Sequence, residues 1–304
     1  MPMTWIWIPI TVAAAVSQNL RTALQKHLKG RLSTNGANYT RYAFGLPFAL
    51  AYALALNGIV GLDWPRPDPA FFGWVLLGGV SQILATSLLI EAMTRRNFAA
   101  GIAYSKTEVV QAALFEAVFL GLALTAGGIF AIVLATLGVM LISLRQSVAP
   151  WRDVLTGWTD KVALLGLASG GLFAISAVAF RAASIGLDHP SFLMSAGYTL
   201  AWAQALQTAL LTAWLLLREP GQLRAVWHAW RPGLLVGLTG TLGSMCWFTA
   251  FTIQIAAYVR TLGLIELVFT FLMGRYAFGE RASRYEVMGV AALVAGIVLV
   301  LHSH

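Results

Sequence analysis

Charge is what this chain lacks most. Only 11% of its 304 residues are Asp, Glu, Lys or Arg and 59% are hydrophobic, against about 25% charged in an ordinary soluble domain. Water is thereby excluded as the main solvent, and the chain reads as a polytopic membrane protein. A single cysteine, Cys246 in an apolar stretch, excludes an intrachain disulfide and a thiolate-rich metal site. The five histidines fall in loops or tails, with no spacing that sets two on one helix face, so no metal site is expected. No phosphate-binding glycine loop, cofactor motif or ATP-driving segment is present. An enzyme would have to work inside the membrane with the few acids that lie there. Residues 1–7 lack the basic n-region and cleavage site of a signal peptide, so the first span is expected to stay in the mature protein.

What is present is apolar sequence in bilayer-length stretches. About 20 residues are needed per crossing, which places ten spans near 4–25, 36–56, 70–92, 98–119, 125–144, 162–183, 190–216, 233–252, 256–276 and 286–302. Turn chemistry marks the breaks: Pro65, Pro67 and Pro69, the central Pro150, Asp188-His189-Pro190, Pro220-Gly221 and Pro232-Gly233. Of the 20 Lys and Arg, 14 fall in odd-numbered loops or at their edges and only Arg66 in an even one. The positive-inside bias then makes the odd loops cytoplasmic and leaves both termini outside the inner membrane. The net charge of +8 thus suits an anionic membrane face and excludes nucleic acid as a partner. Trp5, Trp7, Trp64, Trp151, Trp158, Trp227 and Trp230 lie near span ends, where indoles anchor at headgroup level.

The chain repeats itself at an offset of 158 residues. Gly79 falls on Gly237, Ala92 on Ala250, Ala99 on Ala257, Glu108 on Glu266, Gly121 on Gly279 and Gly138 on Gly296. Five helices per copy is odd, so the second copy crosses in the opposite sense. The expected fold is all-α, ten transmembrane helices in two inverted five-helix repeats, 1–149 and 150–304. The neutral loop Gly121–Thr125 against its charged mate Gly279–Ser283 agrees with that inversion.

Glu108 and Glu266 are the leading site residues, because each is an acid near the middle of a span at matching places in the two copies. A charge at such depth costs about 2.5–3.5 kcal/mol on insertion scales and is expected to face an interior cavity. In continuous helices Tyr104, Gln111 and Phe115 share the face of Glu108, and Tyr258, Leu262, Phe269 and Thr270 that of Glu266. Aromatic and amide groups around a carboxylate suit an amine-bearing solute. The competing reading pairs each glutamate with a buried base such as Lys106 or Arg260. Lys106 is either a counter-ion for Glu91, Glu108 or Glu116 or a ligand for a substrate carboxylate. Arg41 and Arg260 are either interface anchors or a gate or counter-ion. Gln82 and Trp247 are further candidates for the cavity, while Glu91 and Glu116 are read as structural. Glycines such as Gly78, Gly79, Gly237, Gly240 and Gly243 permit close helix crossing.

Phe278-Gly279-Glu280-Arg281, Gly289, the ending Ala295-Gly296-Ile297-Val298-Leu299, and Arg41-Tyr42 opening the second helix give the chain its resemblance to a known family. It resembles the drug/metabolite transporter superfamily, specifically ten-helix members built from two EamA-type domains, over nearly its whole length. It departs from that pattern at Leu122, where the family has Glu after the glycine, and at Lys106 and Glu108, in a helix more often neutral. The resemblance implies a secondary transporter, not an enzyme, that moves a small organic solute by alternating access. The expected solute is amino-acid-like or zwitterionic and the expected direction is export. Four-helix relatives exchange protons for cationic drugs through a first-helix glutamate; the first helix here has no acid. A proton-coupled exporter of cationic drugs is the alternative, and a lipid-modifying enzyme or scaffold the non-transport one. The expected partners are solute and bilayer, with monomer and homodimer both open and no cofactor.

Overall fold

A computed structural model describes residues 5–28, 32–93, 104–122, 124–144, 161–276 and 283–303. The described residues are mostly helical, with no strand among them. Pro150, the start of the fourth span, the Arg95-Arg96 loop and the Phe278–Arg281 motif lie outside them. The helices form two compact units, residues 1–83 with 179–254 and residues 84–178 with 255–304. Each unit draws on both halves of the sequence, so spatial units and sequence repeats divide the chain differently.

The first unit contains α1 (Trp7–Leu28), α2 (Thr34–Ala43), α3 (Leu46–Gly58), the first part of α4 (Pro69–Met93) and the end of α7 (Lys161–Gly186). To these it adds α8 (Phe192–Arg218), α9 (Pro220–His228) and α10 (Trp230–Ile253). The second unit contains the rest of α4 and α7, with α5 (Glu108–Leu120), α6 (Ala126–Leu144), α11 (Ala256–Gly263), α12 (Ile265–Tyr276) and α13 (Arg284–Leu301). Five helical segments are long and apolar enough to cross a membrane: Pro69–Leu89, Lys161–Gly186, Phe192–Arg218, Trp230–Ile253 and Arg284–Leu301.

Three expected spans are interrupted. The second parts into α2 and α3 at Phe44–Gly45, because Pro47 in the first turn of α3 has no N–H to give and its ring would strike the carbonyl four residues back. The Gly45 carbonyl at the break accepts twice, from the Ala49 N–H at 3.1 Å and from Thr241 Oγ1 at 3.1 Å. The fourth and ninth spans break at Lys106–Thr107 and at Leu264. A further helix, α9, forms where a loop was expected, and Glu219 ahead of it accepts from Ser33 Oγ at 2.6 Å and Asn35 Nδ2 at 2.7 Å.

In the first unit Phe71, Val75, Phe180, Leu200 and Phe248 form an apolar core, with the Phe180 and Phe248 rings 4.6 Å apart. Trp7, expected as an interface anchor, is fully buried, whereas Trp5, Trp64, Trp227 and Trp230 are exposed. Trp151 and Trp158 lie outside the described residues.

In the second unit α6 and α13 cross through small residues. A methyl group at Gly138 would fall 2.6 Å from the Gly289 carbonyl and 2.6 Å from the Leu293 nitrogen; one at Gly296 would fall 2.7 Å from the Ala135 nitrogen and 2.8 Å from the Ala131 carbonyl. Shifted by 158, Gly289 falls on Ala131 and Leu293 on Ala135, so the two contacts are one contact seen twice. As numbers rise along α6 they fall along α13, so the helices are antiparallel. Gly138→Val and Gly296→Val should therefore cost similar amounts, about 2–3 kcal/mol each by overpacking. Thermal unfolding in detergent checks this, and a large inequality between the two would count against the mirrored crossing.

Candidate functional site

Glu108 and Glu266 each stand just past a helix break, and the breaks are repeat mates. Before α5, the Thr107 N–H and Oγ1 both donate to the Tyr104 carbonyl, at 3.2 and 2.6 Å. The Val109 N–H reaches the Lys106 carbonyl at 3.5 Å, and its mate, the Leu267 N–H, reaches that of Leu264 at 2.9 Å. Both breaks are thus tightened turns of the same kind. Each leaves its glutamate in the first turn of a new helix, where unpaired N–H groups and the helix dipole favour a carboxylate.

These breaks alter the expected faces. Tyr104 precedes the turn and no longer shares a helix with Glu108 and Gln111; Tyr258 and Leu262 lie on α11, Glu266 and Phe269 on α12. Tyr258 is buried against α6, where a methyl group at Gly128 would collide with its hydroxyl. Gln111 Nε2 donates to Thr107 Oγ1 at 2.9 Å and to the Leu167 carbonyl of α7 at 3.3 Å. A methyl group at Gly170 of α7 would lie 2.7 Å from the Ser105 carbonyl, so α7 comes close to the break only because it has glycine there.

Two bases meet the two acids. Lys106 Nζ donates to Glu266 Oε1 at 2.9 Å, and Arg260 Nε lies 2.9 Å from Glu108 Oε1. The second contact is close enough for charge attraction, but that N–H points away from the line of a hydrogen bond. Each pair joins the two sequence halves. The acids are repeat mates and the bases are not, since Lys106 falls on Leu264 and Arg260 on Ile102. Side-chain exposure is 23% for Lys106 and 12–14% for the other three, so the cluster is sheltered without being sealed. Its composition is balanced, two acids and two bases.

Gln82 and Trp247 belong to the first unit. Gln82 Oε1 accepts from Gln207 Nε2 at 2.8 Å, and Trp247 stacks on Phe251 at 5.7 Å. Arg41, also there, lies over the Tyr42 ring at 5.0 Å. The structure thus gathers Glu108, Glu266, Lys106 and Arg260, with Tyr104 and Gln111 at the α5 break, and places Gln82, Trp247 and Arg41 in the other unit.

Glu116, read as structural, has a more specific place. Its fully buried carboxylate accepts from the N–H of Ala256 at 2.7 Å and of Ala257 at 3.0 Å, capping α11 from α5. The antiparallel pair α5 and α11 is pinned at one end by Glu116 and at the other by Glu108 on Arg260. The 140-residue separation of the partners hid this from sequence reasoning.

An all-helical chain with bilayer-length apolar helices and a buried, balanced charge cluster is a multi-pass membrane protein. The EamA-like transporter family model matches twice, over residues 5–144 and 160–302. The chain belongs to the EamA-like transporter family, whose members are membrane transporters of small solutes rather than enzymes. No curated protein matches it. One crystal structure of a protein, 16% identical, shares its fold with a TM-score of 0.64 over 97% of this chain and 95% of its own.

Proposed function

We propose that this chain is a secondary transporter of a small zwitterionic, amino-acid-like metabolite, exporting it across the inner membrane. Ten spans in two inverted repeats, 1–149 and 150–304, would provide alternating access, with both termini outside. The observation that carries the reading is the pair of mirrored helix breaks, each with a glutamate held by a base from the other sequence half. Discontinuous helices with polar groups at their broken ends are how transporter folds build midplane sites.

The energetics suit exchange. A buried ion pair contributes little net stability, because desolvation offsets attraction, yet stripping one partner away is costly. A zwitterion adds no net charge, so its amine can take over a glutamate as the base withdraws without upsetting the balance of two acids and two bases, whereas a proton or a bare cation would add one positive charge. Lys106 then balances Glu266 or meets a solute carboxylate. With no ATP-driving segment in the sequence, the driving force is a gradient or an exchanged solute.

Counterflow in proteoliposomes, with labelled amino acids on one side and unlabelled on the other, tests this. Glu108→Gln and Glu266→Gln should each lower the rate about tenfold or more while insertion is unchanged, since removing a partner's charge strands a buried base. Wild-type rates in both variants would defeat the proposal. Movement of a lipophilic cation with counter-movement of protons, and of no zwitterion, would replace the solute class by cationic drugs.

A further inference from the structure

The first unit holds buried polar groups that the ion-pair cluster does not use. Arg41 on α2 is only 9% exposed, and among the described residues no carboxylate lies within ion-pair distance of it. Its guanidinium lies over the Tyr42 ring, and its Nε is buried without a hydrogen-bond partner.

Helix register sets more such atoms beside it. Thr212 Oγ1 donates to Tyr39 Oη at 2.9 Å, and a methyl group at Gly45 would fall 2.9 Å from Gln204 Nε2. Residue 39 is thus level with 212 and residue 45 with 204, so α2 runs antiparallel to α8, and Arg41 and Tyr42 come level with Thr208. Tyr42 Oη, Gln204 Oε1 and Thr208 Oγ1 are each buried without a hydrogen-bond partner. On α10, a methyl group at Gly240 would be 3.2 Å from Arg41 Cγ and 3.3 Å from Arg21 Cδ. Two arginine stems therefore lie side by side where α10 has no side chain.

Buried hydrogen-bonding groups are normally paired, and a buried guanidinium normally has a counter-charge. Arginine's planar fork matches the two oxygens of a carboxylate, and tyrosine and threonine hydroxyls add donors. We infer that Arg41, Tyr42 and Thr208 form an oxyanion subsite that takes a solute carboxylate. This rests on the transporter reading and deepens it: the solute carries an anionic oxygen group, and Lys106 is left as the counter-ion of Glu266.

The test is a thermal-shift titration of the full chain in dodecyl maltoside with leucine and phenylalanine, their carboxamides and their decarboxylated amines. Lysophosphatidylglycerol serves as the lipid-headgroup arm. The acids should raise Tm and the amides and amines should not. Arg41→Gln should weaken the acid response about tenfold or more and Thr208→Val less, in keeping with loss of a charged as against a neutral hydrogen bond. If Arg41→Gln fails to fold, Thr208→Val and the wild-type contrast between acid and amide decide the matter. Equal shifts by amides, no shift by either acid, an undiminished response in Arg41→Gln, or a response to the lysolipid alone would each overturn the solute subsite. Amines carried in proteoliposomes without any need for a carboxylate would overturn the subsite and leave the transporter reading standing; acids that bind but are never carried would do the reverse.

Discussion

Reversing Lys106 alone to glutamate should cost about 3–5 kcal/mol of stability and abolish transport, and adding Glu266→Lys should restore most of both. The Lys106 ammonium lies 2.9 Å from Glu266 Oε1 in a site where neither side chain is more than a quarter exposed. A glutamate at 106 would set a carboxylate against that oxygen and leave Arg260 as the one base facing three acids. Reversing both members re-forms the pair with its polarity inverted. Recovery should stop short of complete, because the lysine would then occupy the first turn of α12, where the helix dipole favours an anion by about 0.3–1 kcal/mol. A double-mutant cycle on thermal unfolding, with counterflow alongside, measures the coupling. A double reversal no better than the worse single one would show that the pair does not hold the break.

That pairing was partly legible in the sequence. Two acids at matching places in a duplicated apolar chain stand out because charge is so scarce, and Lys106 and Arg260 were among the few bases inside spans. Which base meets which acid was not legible, since each pair crosses between halves and the bases are not repeat mates. The breaks divide in the same way. Gly45 and Pro47 sit within the expected second span, and Gly263 just before the break in the ninth, so both carried a local signal. Ser105-Lys106-Thr107 has neither glycine nor proline, and that break depends on tertiary company, including the glycine of α7 that lets Ser105 approach.

The α6–α13 crossing shows what the repeat could and could not give. Gly138 and Gly296 were found as mates by sliding the chain along itself, but the other side of each contact is Gly289 with Leu293, or Ala131 with Ala135. Those pairs share size more than identity. Small-residue complementarity is enough for close packing in lipid, so the symmetry outlasts the sequence similarity that would have disclosed it.

Glu116→Ala should be as severe as the Lys106 reversal, at about 3–5 kcal/mol. It removes two charge-assisted hydrogen bonds of about 1.5–3 kcal/mol each and strands two buried N–H groups at the start of α11. Glu116→Gln keeps one acceptor oxygen and turns an amide N–H toward the other donor, so it should lose about 2–3 kcal/mol. The effect should also be local before it is global. α11 runs from the Glu116 cap to Arg260 in its last turn and then to the break before Glu266, so loosening its start frees the base that holds Glu108. Hydrogen exchange in Glu116→Gln should therefore quicken first in 256–263, and counterflow should fall further than in a Gly138→Val variant of equal stability. Uniform quickening along the chain, with transport tracking stability alone, would reduce Glu116 to a packing residue and leave the orientation of Arg260 to other contacts.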